Sequence, residues 1–196
     1  DYINLKTFLE HIQIRYPKYK ELIEAAGKQF NIPIILLSSM SYQESKWDRK
    51  ARSPTGVRGL MMLTLNTAKY LGVKNRLNPK ESIFGGAKYL AELKSQLDEK
   101  IREPDRTWIA LAAYNVGKGH ILDAQKLAIQ LDRNPNTWAG LKQTLPLLKI
   151  RKYYKTLKYG YARGSEPVRY VERIRDYSDI LEKVLENPKN YEHLNK

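Results

Sequence analysis

The stretch IILLSSMSYQES, residues 34–45, decides how the rest of the chain is read. Pro33 before it suits a first helical turn, where a missing N–H costs little, and Ile34, Leu37 and Met40 then recur at helical spacing to about Ser45. From Ile34 to Met40 its side chains are apolar or small, and Glu44 sits at its end. Immediately after it, from Asp48 to Arg58, the pattern breaks, and Ser53-Pro54-Thr55-Gly56 is turn punctuation, so a loop or short hairpin is expected there. A carboxylic acid at such a boundary can be partly desolvated, which favours its protonated form near neutral pH. For an arbitrary Glu, a solvated place in a last helical turn is the commoner fate.

Outward from this segment the chain is helical in both directions. Before it, Leu5, Phe8, Leu9 and Ile12 mark one helix, and Leu22, Ile23, Ala26 and Phe30, after Pro17, mark another. After it, periodicity returns over Thr64 to Leu71 and stops at Gly72, then restarts behind Asn78-Pro79 with Ile83, Ala87, Leu90, Leu93 and Leu97. Trp108 to Tyr114 is a compact apolar segment ended by Asn115-Val116-Gly117-Lys118-Gly119, and Ile121 to Leu131 is helical again. Then come a short piece around Trp138, a basic and tyrosine-rich stretch from Lys149 to Arg163, and a last helix from Pro167 to about Glu186. The polar residues 187–196 are expected to fray. No repeat or long linker divides the chain, so the expectation is one mainly α domain over residues 1–196.

Composition narrows the function classes. No apolar run approaches the roughly 20 residues that span a bilayer. The chain starts at Asp1 without an initiator Met or a charged-then-apolar leader, as a processed product or an excised domain would. With no Cys, disulfides and thiolate chemistry are excluded. Lys and Arg exceed Asp and Glu by 35 to 21, a formal charge of +14, which points to an acidic partner: nucleic acid, an anionic membrane or a carboxylate-rich wall.

Motif chemistry is mostly exclusion. His11, His120 and His193 are scattered and form no H-E-x-x-H pair, so no metal site is expected, and no cofactor. Gly117-Lys118-Gly119 fails as a phosphate loop, because position 112 is Ala where a Gly is needed and position 119 is Gly where a Ser or Thr is needed. No G-x-S-x-G elbow is present. Carboxylate chemistry remains, with Glu44 as its candidate.

Five pieces in order carry a family resemblance: Glu44-Ser45, Ser53-Pro54-Thr55-Gly56, Gly59-Leu60-Met61, Ala113-Tyr114-Asn115 with Gly117, and Tyr170-Val171. Together they resemble the family 1 lytic transglycosylases, which share the goose-type lysozyme fold, over roughly residues 33 to 180. SPTGVRGLMMLT (53–64) and YGYARG (159–164) are most similar to the membrane-bound lytic transglycosylase F group. The resemblance implies a lysozyme-like, mainly α domain with at most a short β-hairpin near the active site. It implies Glu44 as the sole acid and base, and Ser53, nine positions later, as a residue that binds substrate or orients the carboxyl group. Met61, Met62, Tyr114, Asn115 and Tyr170 are the further substrate-binding candidates that it implies, with Asn115 better suited to bracing its turn. Where many members read Gly-Leu-Met-Gln, this chain has Met62, which removes an amide from that position.

By the same resemblance, the reaction is cleavage of the β-1,4 bond between N-acetylmuramic acid and N-acetylglucosamine in peptidoglycan, without water, leaving 1,6-anhydro ends. A goose-type hydrolysing lysozyme and a non-catalytic wall- or nucleic-acid-binding module are the alternatives. The implied partner is the glycan strand, without nucleic acid. The implied location is the periplasmic side of the outer membrane, through a part not in this chain, and F-group members usually carry a preceding solute-binding-like module. On composition alone, Met61 and Met62 are as well explained as core filler. The interleaved bases and tyrosines from Arg151 to Tyr161 suit single-stranded nucleic acid or sugar rings equally.

Overall fold

The computed structural model describes residues 3–195, which fall into two compact units: one holds the residues up to Tyr89 and those from Arg173 onward, the other Leu90–Glu172. Helix α1 (Leu5–Ile14) begins where the Asn4 side chain accepts the Thr7 N–H at 3.1 Å, and it buries Phe8, Leu9 and Ile12. A 3-10 turn at Tyr16–Lys18, set by Pro17, leads into α2 (Lys20–Phe30). α2 stops at Asn31, in the left-handed region at φ 54°, with the Ile32 N–H bonded to the Gly27 carbonyl at 2.9 Å. A Cβ at Gly27 would lie 2.7 Å from the Ile32 carbonyl oxygen, so this close return requires glycine. α3 (Ile34–Ser45) follows with Pro33 as its N-cap. α4 (Leu65–Leu71) is bounded by Thr64, whose hydroxyl accepts the Thr67 N–H at 3.0 Å, and by Gly72 at φ 75°. α5 (Pro79–Ser95) starts at the expected Asn78-Pro79 and runs from the first unit into the second.

In the second unit α6 (Asp105–Val116) and α7 (Lys118–Gln130) are joined at Gly117, φ 98°, and α8 (Trp138–Thr144) packs on both. The Thr144 hydroxyl donates to the Ala124 carbonyl at 3.0 Å, fixing α8 on α7 through a buried bond. A 3-10 turn (Leu145–Lys149) and the single turn α9 (Arg151–Tyr154) complete this unit before α10 (Ser165–Glu186), whose residues from Arg173 belong to the first unit. α10 begins two residues before the expected Pro167. The tail expected to fray carries 3-10 turns at Pro188–Asn190 and Glu192–Asn195, the second beside α1.

The expectation of a mainly α fold is met. The anticipated hairpin reduces, among the described residues, to two isolated antiparallel bridges, Arg52 with Arg58 and Arg58 with Leu63. Around α3 the first unit's core is aromatic: ring centroids of Phe8 and Tyr42 are 4.5 Å apart, Tyr42 and Trp47 4.6 Å, and Tyr42 and Tyr177 4.8 Å. Burial of these phenols raises the pKa of Tyr42 and of Tyr177, since the charged form is the one that loses hydration.

Candidate active site

α3 is buried nearly all round, which explains its small and apolar side chains: Leu37, Ser38, Ser39, Met40, Ser41, Tyr42 and Ser45 are all buried. Each buried serine has its partner. Ser38 and Tyr16 hydroxyls pair at 2.9 Å, Ser39 donates to the Ile35 carbonyl at 2.7 Å, and Ser45 donates to the Ser41 carbonyl at 3.0 Å. Glu44, the penultimate residue of this helix, is half-buried.

The chain leaves α3 through two consecutive left-handed residues, Lys46 at φ 53° and Trp47 at φ 56°, a conformation that costs non-glycine residues about 1–2 kcal/mol each. Three contacts hold it. The Arg15 guanidinium donates to the Lys46 carbonyl at 3.0 Å, the Trp47 indole N–H donates to the Ser38 carbonyl at 3.1 Å, and the Trp47 ring is buried at 1% exposure. Asp48, the next acid after Glu44, is exposed, as its reading as a surface residue requires.

Ser53 sits half-buried in a turn that its own hydroxyl builds. The Ser53 Oγ accepts N–H bonds from Thr55 and Val57, both at 3.2 Å, and pairs with the Thr55 hydroxyl at 2.9 Å. The next turn, Gly59 to Met62, is held more tightly. Arg58 and Leu63 exchange backbone bonds at 3.1 and 3.0 Å, and the Arg76 guanidinium donates to the Gly56 and Leu63 carbonyls at 2.7 and 3.0 Å. The Ser41 hydroxyl donates to the Leu60 carbonyl at 3.2 Å, and the Met61 N–H donates to the Ser82 hydroxyl at 3.0 Å, so two buried serines grip one peptide unit from both sides. Gly59 has φ 88°, and a Cβ there would lie 1.9 Å from the Arg76 carbonyl oxygen, which excludes any other residue.

The two methionines part company. Met61 is fully buried and packs on Gly86, where a Cβ would fall 2.6 Å from its Cβ and Cγ. Its expected contact with substrate gives way to core packing, because no part of the side chain reaches the surface. Met62 keeps partial exposure on a backbone at φ 49°.

The other expected site residues lie in the second unit. Tyr114 is half-buried near the end of α6, Asn115 is exposed, and Tyr170 is buried in α10 at 4% exposure. The turn after Asn115 is closed by the Gly117 N–H to the Ala113 carbonyl at 2.8 Å; among the described residues the Asn115 side chain makes no hydrogen bond that braces it. A cavity of about 410 Å³ in this unit is lined by Leu93, Leu97, Ile121 and Leu122 with Gln96 and Lys118, and by none of the expected site residues. Among the described residues no three of His, Cys, Asp and Glu converge as metal ligands would.

Sequence reasoning missed Ser41, Ser82, Arg15 and Arg76, whose partners are 13 to 31 residues away in the chain. The adjacent Gly85 and Gly86 in α5 were the one local signal that something packs closely there.

The family model for the Transglycosylase SLT domain matches residues 21–136. Among curated proteins, the chain is 56% identical over 180 residues to membrane-bound lytic murein transglycosylase F of Pseudomonas fluorescens Pf-5, covering 92% of this chain and 37% of the relative. It is 54% identical over 181 residues to the protein of the same name from Saccharophagus degradans, covering 92% of this chain and 36% of the relative. The chain thus spans little more than a third of the length of the curated relatives it matches. Among solved structures, an inactive mutant of lytic transglycosylase Slt from Pseudomonas aeruginosa superposes with a TM-score of 0.63 at 22% identity, covering 89% of this chain and 26% of that one. The 70 kDa soluble lytic transglycosylase of Escherichia coli superposes at 0.56 and 22% identity, covering 84% of this chain and 24% of that one. At such identity these two structures speak to the fold, and they agree with a lysozyme-like helical architecture. The matched family segment and the relatives at more than half identity lead to one conclusion: the chain belongs to the Transglycosylase SLT domain family.

Proposed function

We propose that this chain is the catalytic domain of a peptidoglycan lytic transglycosylase in which Glu44 is both acid and base. The observation that carries the proposal is the place of Glu44: half-buried at the end of a helix whose other faces are packed, one turn beyond the serine bonded to the Gly59–Met62 turn. A carboxyl group on so fixed a support keeps its position through two proton transfers. Asp48 is exposed and one turn further on, so a second carboxylate in the usual glycosidase arrangement finds no support in this stretch.

Glu44 enters the reaction protonated and gives its proton to the glycosidic oxygen as the bond from that oxygen to C1 of N-acetylmuramic acid breaks. The substrate's own acetamido oxygen stabilises the cationic C1. Glu44, now a carboxylate, takes the proton of the C6 hydroxyl, and O6 bonds to C1 to close the 1,6-anhydro ring. The proton balance closes, with Glu44 returned to its acid form and no water consumed.

Ser53 is proposed to bind substrate through the hydroxyl that also organises its turn, and Met62 to supply an apolar wall. Tyr114, Asn115 and Tyr170 are proposed as substrate contacts on the family resemblance, and residues 1–196 are proposed as a single catalytic domain. The relatives' name, membrane-bound lytic murein transglycosylase F, supports a membrane-associated location, and the periplasmic side of the outer membrane is proposed on the family resemblance; no helix among the described residues is long and apolar enough to cross a membrane. Digestion of purified sacculi with mass spectrometry of the products tests the reaction. Ends of 1,6-anhydro-N-acetylmuramic acid are expected; reducing ends would instead establish a hydrolase.

A further inference from the structure

Between Lys149 and Ser165 the chain holds six cations, Lys149, Arg151, Lys152, Lys155, Lys158 and Arg163, four tyrosines and no acid. All six cations are exposed, and among the described residues none is in a salt bridge. Unpaired charge at this density on one short segment repels itself, so the fold must hold it in place by other means.

It does so by anchoring the backbone. The carboxylate of Asp123, buried at 3% exposure on α7, accepts the Tyr159 N–H at 2.8 Å. The Tyr159 ring lies against Gly119, where a Cβ would fall 2.7 Å from the ring carbons. The Ala162 N–H donates to the Leu148 carbonyl at 3.1 Å, and Gly164 passes so close to the Leu145 carbonyl that a Cβ would lie 1.6 Å from its oxygen. Leu157 is buried beneath. On this fixed base Tyr161 stands 55% exposed, its ring edge-on to that of Tyr154 at 5.7 Å, and Tyr159 is 45% exposed with the Lys158 ammonium 5.4 Å from its ring centre. Large aromatic faces in water beside unpaired cations, on an ordered backbone, make a surface whose ordering cost is already met before a ligand arrives.

We propose that this surface, α9 and the loop after it, is a subsite for peptide-bearing glycan: Tyr161 with Tyr154 takes a sugar face, and Lys152, Lys155 and Lys158 take carboxylates of the peptide substituents. The proposal rests on the transglycosylase reading for its choice of polymer. Charge complementarity selects an anionic ligand, and the exposed rings select one that offers apolar faces along its length, as pyranose rings do. A vesicle surface matches the charges but offers no separate ring faces to the tyrosines. A nucleic acid strand offers both features and is therefore the competitor that the test must include.

The test uses the full chain carrying Glu44→Gln, so that ligands survive, with affinities read by calorimetry. Four probes are compared: peptide-bearing glycan oligomers from sacculi, an uncharged chitin hexamer, a single-stranded oligodeoxynucleotide and phosphatidylglycerol vesicles. The combined variant Lys152→Gln, Lys155→Gln, Lys158→Gln should weaken the peptide-bearing oligomer about tenfold, exposed ion pairs being individually weak, and leave the chitin hexamer unchanged. Tyr161→Ala should weaken both glycans. All four side chains are exposed or half-exposed, so melting temperatures should match the parent and exclude misfolding as the cause. An unchanged affinity of the lysine variant for the peptide-bearing oligomer would overturn the proposal. So would equal losses of the lysine variant for charged and uncharged glycans, unchanged binding of both glycans by Tyr161→Ala, or tighter binding of the oligonucleotide or the vesicles than of the glycan. Turnover of sacculi by the parent with Glu44 intact is measured separately, so failure of the reaction and failure of the subsite give different results.

Discussion

The Ser41 hydroxyl donates to the Leu60 carbonyl at 3.2 Å, so the residue one helical turn before Glu44 is bonded to the turn that carries both methionines. Both groups are buried, and Ser41→Ala leaves the Leu60 carbonyl without that donor, at a cost of about 1–3 kcal/mol. Thermal unfolding should register the loss. If the bond also registers the loop against Glu44, kcat on soluble glycan should fall more than KM rises, while Ser41→Thr, which keeps the hydroxyl, should recover much of it. Equal kcat in Ser41→Ala and parent would limit Ser41 to stability.

Gly59→Ala and Gly86→Ala separate two kinds of close contact. At Gly59 the added methyl meets a backbone carbonyl at 1.9 Å on a backbone of φ 88°, and neither can move without dismantling the turn held by Arg76. At Gly86 it meets the flexible Met61 side chain at 2.6 Å, an overpacking of about 1–3 kcal/mol. Chemical denaturation should therefore rank Gly59→Ala well below Gly86→Ala in stability, and the reverse order would mean that the Met61 packing is the stricter constraint.

Glu44→Gln should fold as the parent does and lose turnover by at least about 10²-fold, the lower range for a positioned acid–base group. The amide keeps the shape of the carboxyl group and cannot pass the proton. Retention of a tenth of the parent rate on sacculi, with unchanged melting, would remove Glu44 from the role proposed for it.

How much of this was legible beforehand depended on whether the cause was local. The bounds of α3 could be read because Pro33 starts the helix and the polar Asp48 loop follows it, and Gly72 and Gly117 mark ends through their own backbone freedom. The hydroxyl bonds of Ser41 and Ser82 span 19 and 21 residues, and nothing in a serine's neighbours announces a distant acceptor or donor. The left-handed pair Lys46-Trp47 was equally invisible, since both residue types ordinarily avoid that region and the contacts that make it tenable, Arg15 and the Ser38 carbonyl among them, come from elsewhere in the chain. The resemblance could name Met61 and Met62 together; only packing against Gly86 distinguishes them.

The aromatic core behind α3 predicts the limits of stability with pH. Burial raises the pKa values of Tyr16, Tyr42 and Tyr177 above the ordinary 10.0, so the folded state disfavours their ionisation; this stability is complete below pH 10 and is lost as pH rises beyond it. His11, whose ring Nδ1 lies 2.9 Å from the Tyr42 hydroxyl, is shifted the other way, below 6.5, by burial and then by Arg15 and Lys46. Its contribution is present above pH 6.5 and is lost as pH falls through the lowered value. Melting curves at graded pH should show both declines. Tyr42→Phe should flatten the alkaline one and His11→Gln the acid one; parallel curves for variant and parent would assign the decline to other groups.

Met62 is where the chain leaves the wider family pattern, and of the two methionines it is the one with partial exposure; it is proposed to lie beside Glu44. An apolar neighbour disfavours a carboxylate, whereas an amide can donate to it, so Met62→Gln should make Glu44 easier to ionise. On the proposed mechanism Glu44 must be protonated at the start, and the alkaline limb of kcat/KM against pH would report that protonation in the free protein. Met62→Gln should therefore move the limb to lower pH. The substitution is clean in the backbone sense: Gln is unbranched at Cβ like Met, and the Met62 N–H bond to the Gly59 carbonyl at 3.1 Å, formed at φ 49°, is available to either residue. A shifted limb with unchanged melting would make the methionine a determinant of the working pH. An unmoved limb with lowered melting would return Met62 to the core beside Met61.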